Sequence, residues 1–218
     1  MKFFVDGANI QEIKTLAMMG LVDGITTNPS IIAKTGRNFF TTIQELAELT
    51  TGPVSAEVVG LDAQTMILEG KKLSKLAKNI CVKVPLTEEG LKACYILSRE
   101  EIMVNVTLCF SPLQALMAAK AGATFVSPFI GRLDDIGHDG LQLIEEICQI
   151  YNNYPNIKTE VLAASIRTPS HIRQIAMMGA DIITAPASII QSMIKHPLTQ
   201  KGLEDFLKDW EKTGQSIL

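Results

Sequence analysis

With 218 residues, 47% of them hydrophobic, the chain is long enough to bury one sizeable core and to form one α/β barrel. A formal net charge of -3 and the lack of any basic run argue against a nucleic-acid partner, and no apolar stretch is long enough to span a bilayer. Cys81, Cys94, Cys109 and Cys148 form no C-x-x-C pair and no metal-ligand spacing, so they read as reduced, mostly buried thiols, and neither a metal nor a cofactor is expected.

The start, Met1-Lys2-Phe3-Phe4-Val5-Asp6, moves straight into strand-like sequence without a signal-peptide pattern, which sets the expectation of a cytoplasmic enzyme. Short apolar and β-branched runs predict strands over 2–6, 24–26, 54–58, 80–84, 103–107, 124–127, 159–163 and 181–184. Helical spacing lies between them, as over 63–77, 88–99, 112–121, 141–151 and 170–178. Thr87 before Glu88-Glu89, Ser111 before Pro112 and Thr168 before Pro169 read as helix starts, although Gly90 weakens the first of them. Gly122 and Gly179 read as the glycines that follow helix ends. Strict strand and helix alternation, with no Pro/Gly/Ser linker, predicts a single (β/α)₈ TIM barrel over residues 1–218; an open doubly wound sheet is the alternative. A further amphipathic segment, 203–210, carries the lone Trp210, so residues 199–218 are expected to form a C-terminal helical extension that needs a surface to cover.

In such a barrel the chemistry sits at the C-terminal ends of the strands. Seven of the eight predicted strands end in polar or ionisable groups, and the eighth offers only Thr184. Lys83 lies in Ile80-Cys81-Val82-Lys83-Val84-Pro85, a run that reads as a strand buried on both faces. Desolvating an ammonium is costly, so such a lysine is either half of a buried ion pair with Asp6 or Glu57, or a nucleophile toward a ketone. Asp6 is a helix cap or an acid/base for a sugar hydroxyl. Glu57 is the partner of Lys83 or, with Thr107, the holder of a water. Thr27-Asn28-Pro29-Ser30 is turn chemistry by composition, yet the Asn28 amide also suits substrate hydroxyls. Arg132 and Arg167, both just past strand ends, suit a phosphate dianion. His138, His171 and His196 form no metal-type cluster.

Five motifs in order along the chain resemble the transaldolase family, in the short branch that also contains fructose-6-phosphate aldolases. They are Gly24-Ile25-Thr26-Thr27-Asn28-Pro29-Ser30, Val82-Lys83-Val84-Pro85, Asn105-Val106-Thr107-Leu108, Ser127-Pro128-Phe129-Ile130-Gly131-Arg132 and Ala164-Ser165-Ile166-Arg167. The resemblance implies a Schiff base at Lys83, acid/base work by Asp6, and water handling by Glu57 and Thr107. It implies that Asn28, Asn105 and Ser127 orient a dihydroxyacetone unit, with Thr26 and Phe129 in the same substrate pocket, and that Arg132, Arg167 and Ser165 hold phosphate. The aldolases of the branch are similar except for a glutamine at the position of Glu57 and a tyrosine at that of Phe129. Transfer from sedoheptulose 7-phosphate to glyceraldehyde 3-phosphate is therefore expected, with fructose-6-phosphate cleavage as the alternative. The partners implied are sugar phosphates and further copies of the chain, in pentameric or decameric rings. A non-catalytic sugar-phosphate-binding barrel would need the arginines but not Lys83, Asp6 and Glu57 together.

Overall fold

The computed structural model describes all residues, Met1–Leu218. Eight parallel strands close into a barrel in chain order: β1 (Lys2–Asp6), β2 (Gly24–Thr26), β3 (Val54–Glu57), β4 (Ile80–Pro85), β5 (Val104–Cys109), β6 (Phe125–Pro128), β7 (Glu160–Ala163) and β8 (Ile182–Ala185), the last pairing back onto β1. Around them run α1 (Ile10–Ala17), α2 (Pro29–Thr35), α3 (Phe39–Glu48), α4 (Ala63–Leu73), α5 (Glu88–Arg99), α6 (Pro112–Lys120), α7 (Ile130–Asp134), α8 (Gly140–Asn152), α9 (Pro169–Met178), α10 (Ala187–Ser192) and α11 (Pro197–Glu211). This is the (β/α)₈ barrel with a C-terminal helix that the alternation predicts, and the open sheet is excluded by closure.

Two apolar layers hold it together. The outer one joins the helices to the outward faces of the strands and contains Ile13, Leu46, Leu97, Ile144 and Ile175. The inner one is a small plug inside the barrel: Phe4, Cys81, Phe125, Leu162 and Ile182, with the Phe4 and Phe125 rings edge to face at 5.8 Å. Gly24 is part of this plug's fit, because a Cβ there would lie 2.5 Å from the Phe4 ring. Strand side chains alternate with a period of two. The residues two positions beyond the plug, Asp6, Lys83, Ser127, Ala164 and Thr184, therefore face the same lumen one layer higher. The plug is the floor of the mouth.

The expected strands are all present, with shifted ends. β3 stops at Glu57, one residue short of Val58, and β4 runs on through Pro85. β5 to β8 each begin one residue later than expected. Thr124, Thr159 and Asp181, expected as first strand residues, instead use their side chains: Thr124 Oγ1 accepts from the Val104 amide, Thr159 donates to the Ala123 carbonyl, and Asp181 accepts from the Val161 amide. Such bonds add to the backbone bonds that Thr124 and Asp181 still make with neighbouring strands, and set these residues at the barrel's lower rim. α4 stops at Leu73 and not at Ala77, with the Ser74 hydroxyl donating back to the Lys71 carbonyl. α11 begins at Pro197, earlier than the segment 203–210, because the His196 ring accepts from the Leu198 amide and caps it.

Thr87, Ser111 and Thr168 cap α5, α6 and α9 through their hydroxyls as expected. Gly90 does more than weaken a turn. A Cβ at this position would lie 1.8 Å from the Pro85 carbonyl oxygen, so only glycine lets α5 leave the end of β4 this closely.

Candidate active site

Strand register assembles the mouth. In the β3–β4 ladder Glu57 stands opposite Lys83, and in the β4–β5 ladder Lys83 stands opposite Asn105. Asp6 stands opposite Thr26 between β1 and β2. Lys83 is only 5% exposed, and its Nζ lies 3.0 Å from Glu57 Oε2 and donates at 2.9 Å to the Thr27 carbonyl. Of the two partners expected for an ion pair, Glu57 is therefore the one found. That pair does not remove the nucleophile reading, because the amine stands on the cavity wall and its proton has an acceptor beside it.

Asp6 is not a helix cap. Asn9 caps α1, and the Asp6 carboxylate instead accepts from the Thr26 hydroxyl at 2.8 Å. Burial pushes the Asp6 carboxyl above its ordinary value; the Thr26 hydrogen bond and the charge of Lys83 offset only part of that rise. A carboxyl held in this way suits moving a proton to and from a sugar hydroxyl.

The mouth is a cavity of about 400 Å³ bordered by Asp6, Thr26, Asn28, Lys83, Thr107, Ser127, Phe129, Arg132, Ser165 and Arg167, together with Lys34, Ala164 and Thr184. It thus gathers ten of the twelve residues expected from sequence. Glu57 borders a second hollow of about 350 Å³, with Phe39, Phe40 and Lys72, and meets the site at the Lys83 amine. Asn105 is fully buried beneath the mouth; it accepts from Ser127 at 2.7 Å and donates to Ser55 at 3.2 Å, so it holds the Ser127 hydroxyl in place.

Thr107 is 1% exposed and its Oγ1 has no partner, the one such buried side-chain atom in the chain. An unpaired buried hydroxyl costs about 1–3 kcal/mol, a cost typical of a group that serves a ligand or water. The next residue, Leu108, has φ 61°, at the point where the β5–β6 register shifts between Val106 and Cys109. This bulge re-aims the strand end that carries Thr107.

Asn28 starts a helix where the sequence suggests a plain turn, and it stands at the cavity's edge. Its Oδ1 accepts from the Ile31 amide as the cap of α2. Across the mouth the Arg132 guanidinium sits 5.0 Å from the centre of the Phe129 ring, whose other contact is Phe110 at 5.9 Å. Arg167 Nη2 is held by Asp135 at 2.7 Å. Gly131 lets these parts approach: a Cβ there would lie 2.3 Å from the Ser165 carbonyl and 2.7 Å from Arg167 Nε. Ser165 itself has φ 60°.

Lys34 and Thr184 were not among the expected site residues. Lys34 sits on α2, six residues after the Asn28 cap, and the sequence predicts only a turn, over 27–30, at the start of this helix. Thr184 is readable as the polar end of the eighth strand, but its place beside Asp6 and Thr26 follows from the pairing of β8 with β1. A larger depression, about 880 Å³, lies at the opposite end of the barrel among Leu116, Met117, Tyr154 and Ile157. It gathers no acid/base pair, so the chemistry belongs to the mouth.

A family profile described as transaldolase/fructose-6-phosphate aldolase matches residues 3–217. The chain is 62% identical to a probable transaldolase of Parvibaculum lavamentivorans and 60% identical to one of Roseobacter denitrificans, in each case over the whole of both proteins. It is 57% identical to a probable transaldolase of Rhodospirillum centenum over the whole of this chain and 94% of that protein.

Proposed function

The chain belongs to the transaldolase/fructose-6-phosphate aldolase family, and from that premise we propose that it is a transaldolase working through a Schiff base at Lys83. The observation that carries this reading is the contact of the buried Lys83 amine with Glu57, on the wall of a cavity that also holds Asp6 and the unpartnered Thr107 hydroxyl.

The substrates are sedoheptulose 7-phosphate as donor and glyceraldehyde 3-phosphate as acceptor, a reaction of the pentose phosphate pathway. The Lys83 amine adds to the ketone carbon; loss of water gives an iminium, an electron sink. The 3.0 Å contact supports Glu57 as the group that takes the ammonium proton and, with Thr107, handles that water. Asp6 accepts the proton of the C4 hydroxyl while the C3–C4 bond breaks. The bonding electrons pass into the enamine, and erythrose 4-phosphate leaves. The enamine then attacks the acceptor aldehyde, Asp6 returns its proton to the new hydroxyl oxygen, and hydrolysis of the iminium releases fructose 6-phosphate. Asn28 and Ser127, the latter held by Asn105, orient the three-carbon unit. Arg132, Arg167 and Ser165 take the phosphate.

Transfer is favoured over cleavage by Glu57 and by Phe129. The Phe129 ring is packed against Phe110 and Arg132 and offers no hydroxyl with which to protonate the enamine. A coupled assay with and without acceptor tests this choice. The expected result is rapid formation of fructose 6-phosphate with acceptor and at least about tenfold slower release of dihydroxyacetone without it. Equal rates would make the protein an aldolase.

A further inference from the structure

We propose that Thr184, at the end of β8, is a positioning residue for Asp6 and acts through Thr26. This rests on the reading above, in which Asp6 exchanges a proton with the substrate hydroxyl. Thr26 Oγ1 lies 2.8 Å from Asp6 Oδ1 and 2.6 Å from Thr184 Oγ1. A hydroxyl carries one hydrogen, and an ionised carboxylate can only accept. The Thr26 hydrogen therefore points to Asp6, and the hydrogen in the second contact belongs to Thr184. The chain runs one way, from Thr184 to Thr26 to Asp6, and each donation polarises the next. Both residues are buried, at 2% and 4% exposure, so the pair is shielded from bulk water.

The consequence is a carboxyl fixed in its plane. Oδ1 is committed to Thr26 and Oδ2 is left for the substrate. When Asp6 takes the substrate proton on Oδ2, Oδ1 still accepts from Thr26, so the chain survives both halves of the reaction. Without Thr184, the Thr26 hydroxyl loses the donor that holds its rotamer and polarises it, and the ionised form of Asp6 is less well stabilised.

The charged surroundings of Asp6 leave this role to neutral groups. Lys83 faces it from β4 and is paired with Glu57 of β3. Lys34, Arg132 and Arg167 border the same cavity. β2 and β8 carry no ionisable side chain, and Glu12 and Lys14 of α1, the helix that follows β1, are exposed. Substituting Thr184 thus changes the hydrogen-bond chain without changing any charge.

The test is the pH profile of kcat for the transfer reaction in the parent, Thr184→Val, Thr184→Ala and Thr184→Ser, with thermal melts to establish folding. Borohydride trapping with fructose 6-phosphate reports imine formation separately. In Thr184→Val the acid limb should move to higher pH by about half a unit to one unit, and kcat near that limb should fall about tenfold. Borohydride adduct formation should persist, and Thr184→Ser should restore both quantities. If Thr184→Val does not fold, Thr184→Ala is read in the same way. An unmoved acid limb overturns the proposal, whether kcat is unchanged or falls equally in the valine and serine variants. Absence of an adduct in the parent overturns the proposed function itself, and the role of Thr184 with it.

Discussion

At the scale of single residues, the mouth pairs an amine with a carboxylate that neutralises it and sets a second carboxyl apart in a costly environment. Asp6 shows the cost most clearly. Its carboxyl is held above the ordinary value, chiefly by burial, so the native state prefers the protonated form more than the unfolded chain does. Asp6 therefore contributes most to stability below its unfolded value, and that contribution is lost as pH rises through the folded value. At neutral pH the buried carboxylate is a net burden on folding. Asp6→Asn keeps an acceptor for Thr26 but cannot ionise. It should lose activity by about 10²–10⁴-fold yet melt higher than the parent at pH 7, and the melting difference should shrink as pH falls through the raised folded value and be gone below the unfolded value of about 4. A variant that is inactive and also less stable at pH 7 would contradict this account of Asp6. The residue identities at the strand ends were legible in the sequence because a lysine in a buried apolar run and a carboxylate after Phe3-Phe4-Val5 are both out of place energetically. Their partners were not. Whether Lys83 meets Asp6 or Glu57 depends on strand neighbours and ladder register: β3 lies beside β4 and sets Glu57 opposite Lys83.

At the scale of elements, the strands themselves carry Asp6, Thr26, Lys83, Thr107 and Ser127, and the loops and short helices that follow β2, β6 and β7 add Asn28, Arg132 and Arg167. Helices with strong caps, such as α5, α6 and α9, were readable in advance. α2 was not, because Asn28 and Pro29 start a turn as readily as they start a helix. Lys34, carried on that helix, was hidden for the same reason. α7 lacks a side-chain cap and is five residues long, so nothing in its composition announced it. Its Gly131 is nonetheless decisive for the arginine side of the mouth. Gly131→Ala puts a Cβ within 2.3 Å of the Ser165 carbonyl and 2.7 Å of Arg167 Nε, and the backbone of α7 has to move. Overpacking of this kind costs about 1–3 kcal/mol, which corresponds to a melting temperature lower by about 3–8 °C. Because the displaced group is Arg167, KM for the phosphorylated acceptor should rise about tenfold with a smaller change in kcat. An unchanged KM, measured by steady-state kinetics, would separate Arg167 from phosphate binding.

At the scale of the whole molecule, the barrel is complete before α11 begins. α11 has no buried residue, and it leaves Leu203, Phe206, Leu207 and Trp210 exposed at helical spacing. An apolar stripe of that size needs a cover, and we propose that a further copy of the chain supplies it. Truncation after Pro197 should leave the barrel folded by circular dichroism and reduce the sedimenting mass of the assembly; an unchanged subunit count would assign the stripe elsewhere. The claim on which the rest depends is the covalent one. The most direct measurement is borohydride reduction in the presence of fructose 6-phosphate, followed by peptide mass mapping. A single three-carbon adduct is expected on the peptide containing Lys83, abolished by Lys83→Met. An adduct on another lysine, or full transfer activity in Lys83→Met, would contradict that claim.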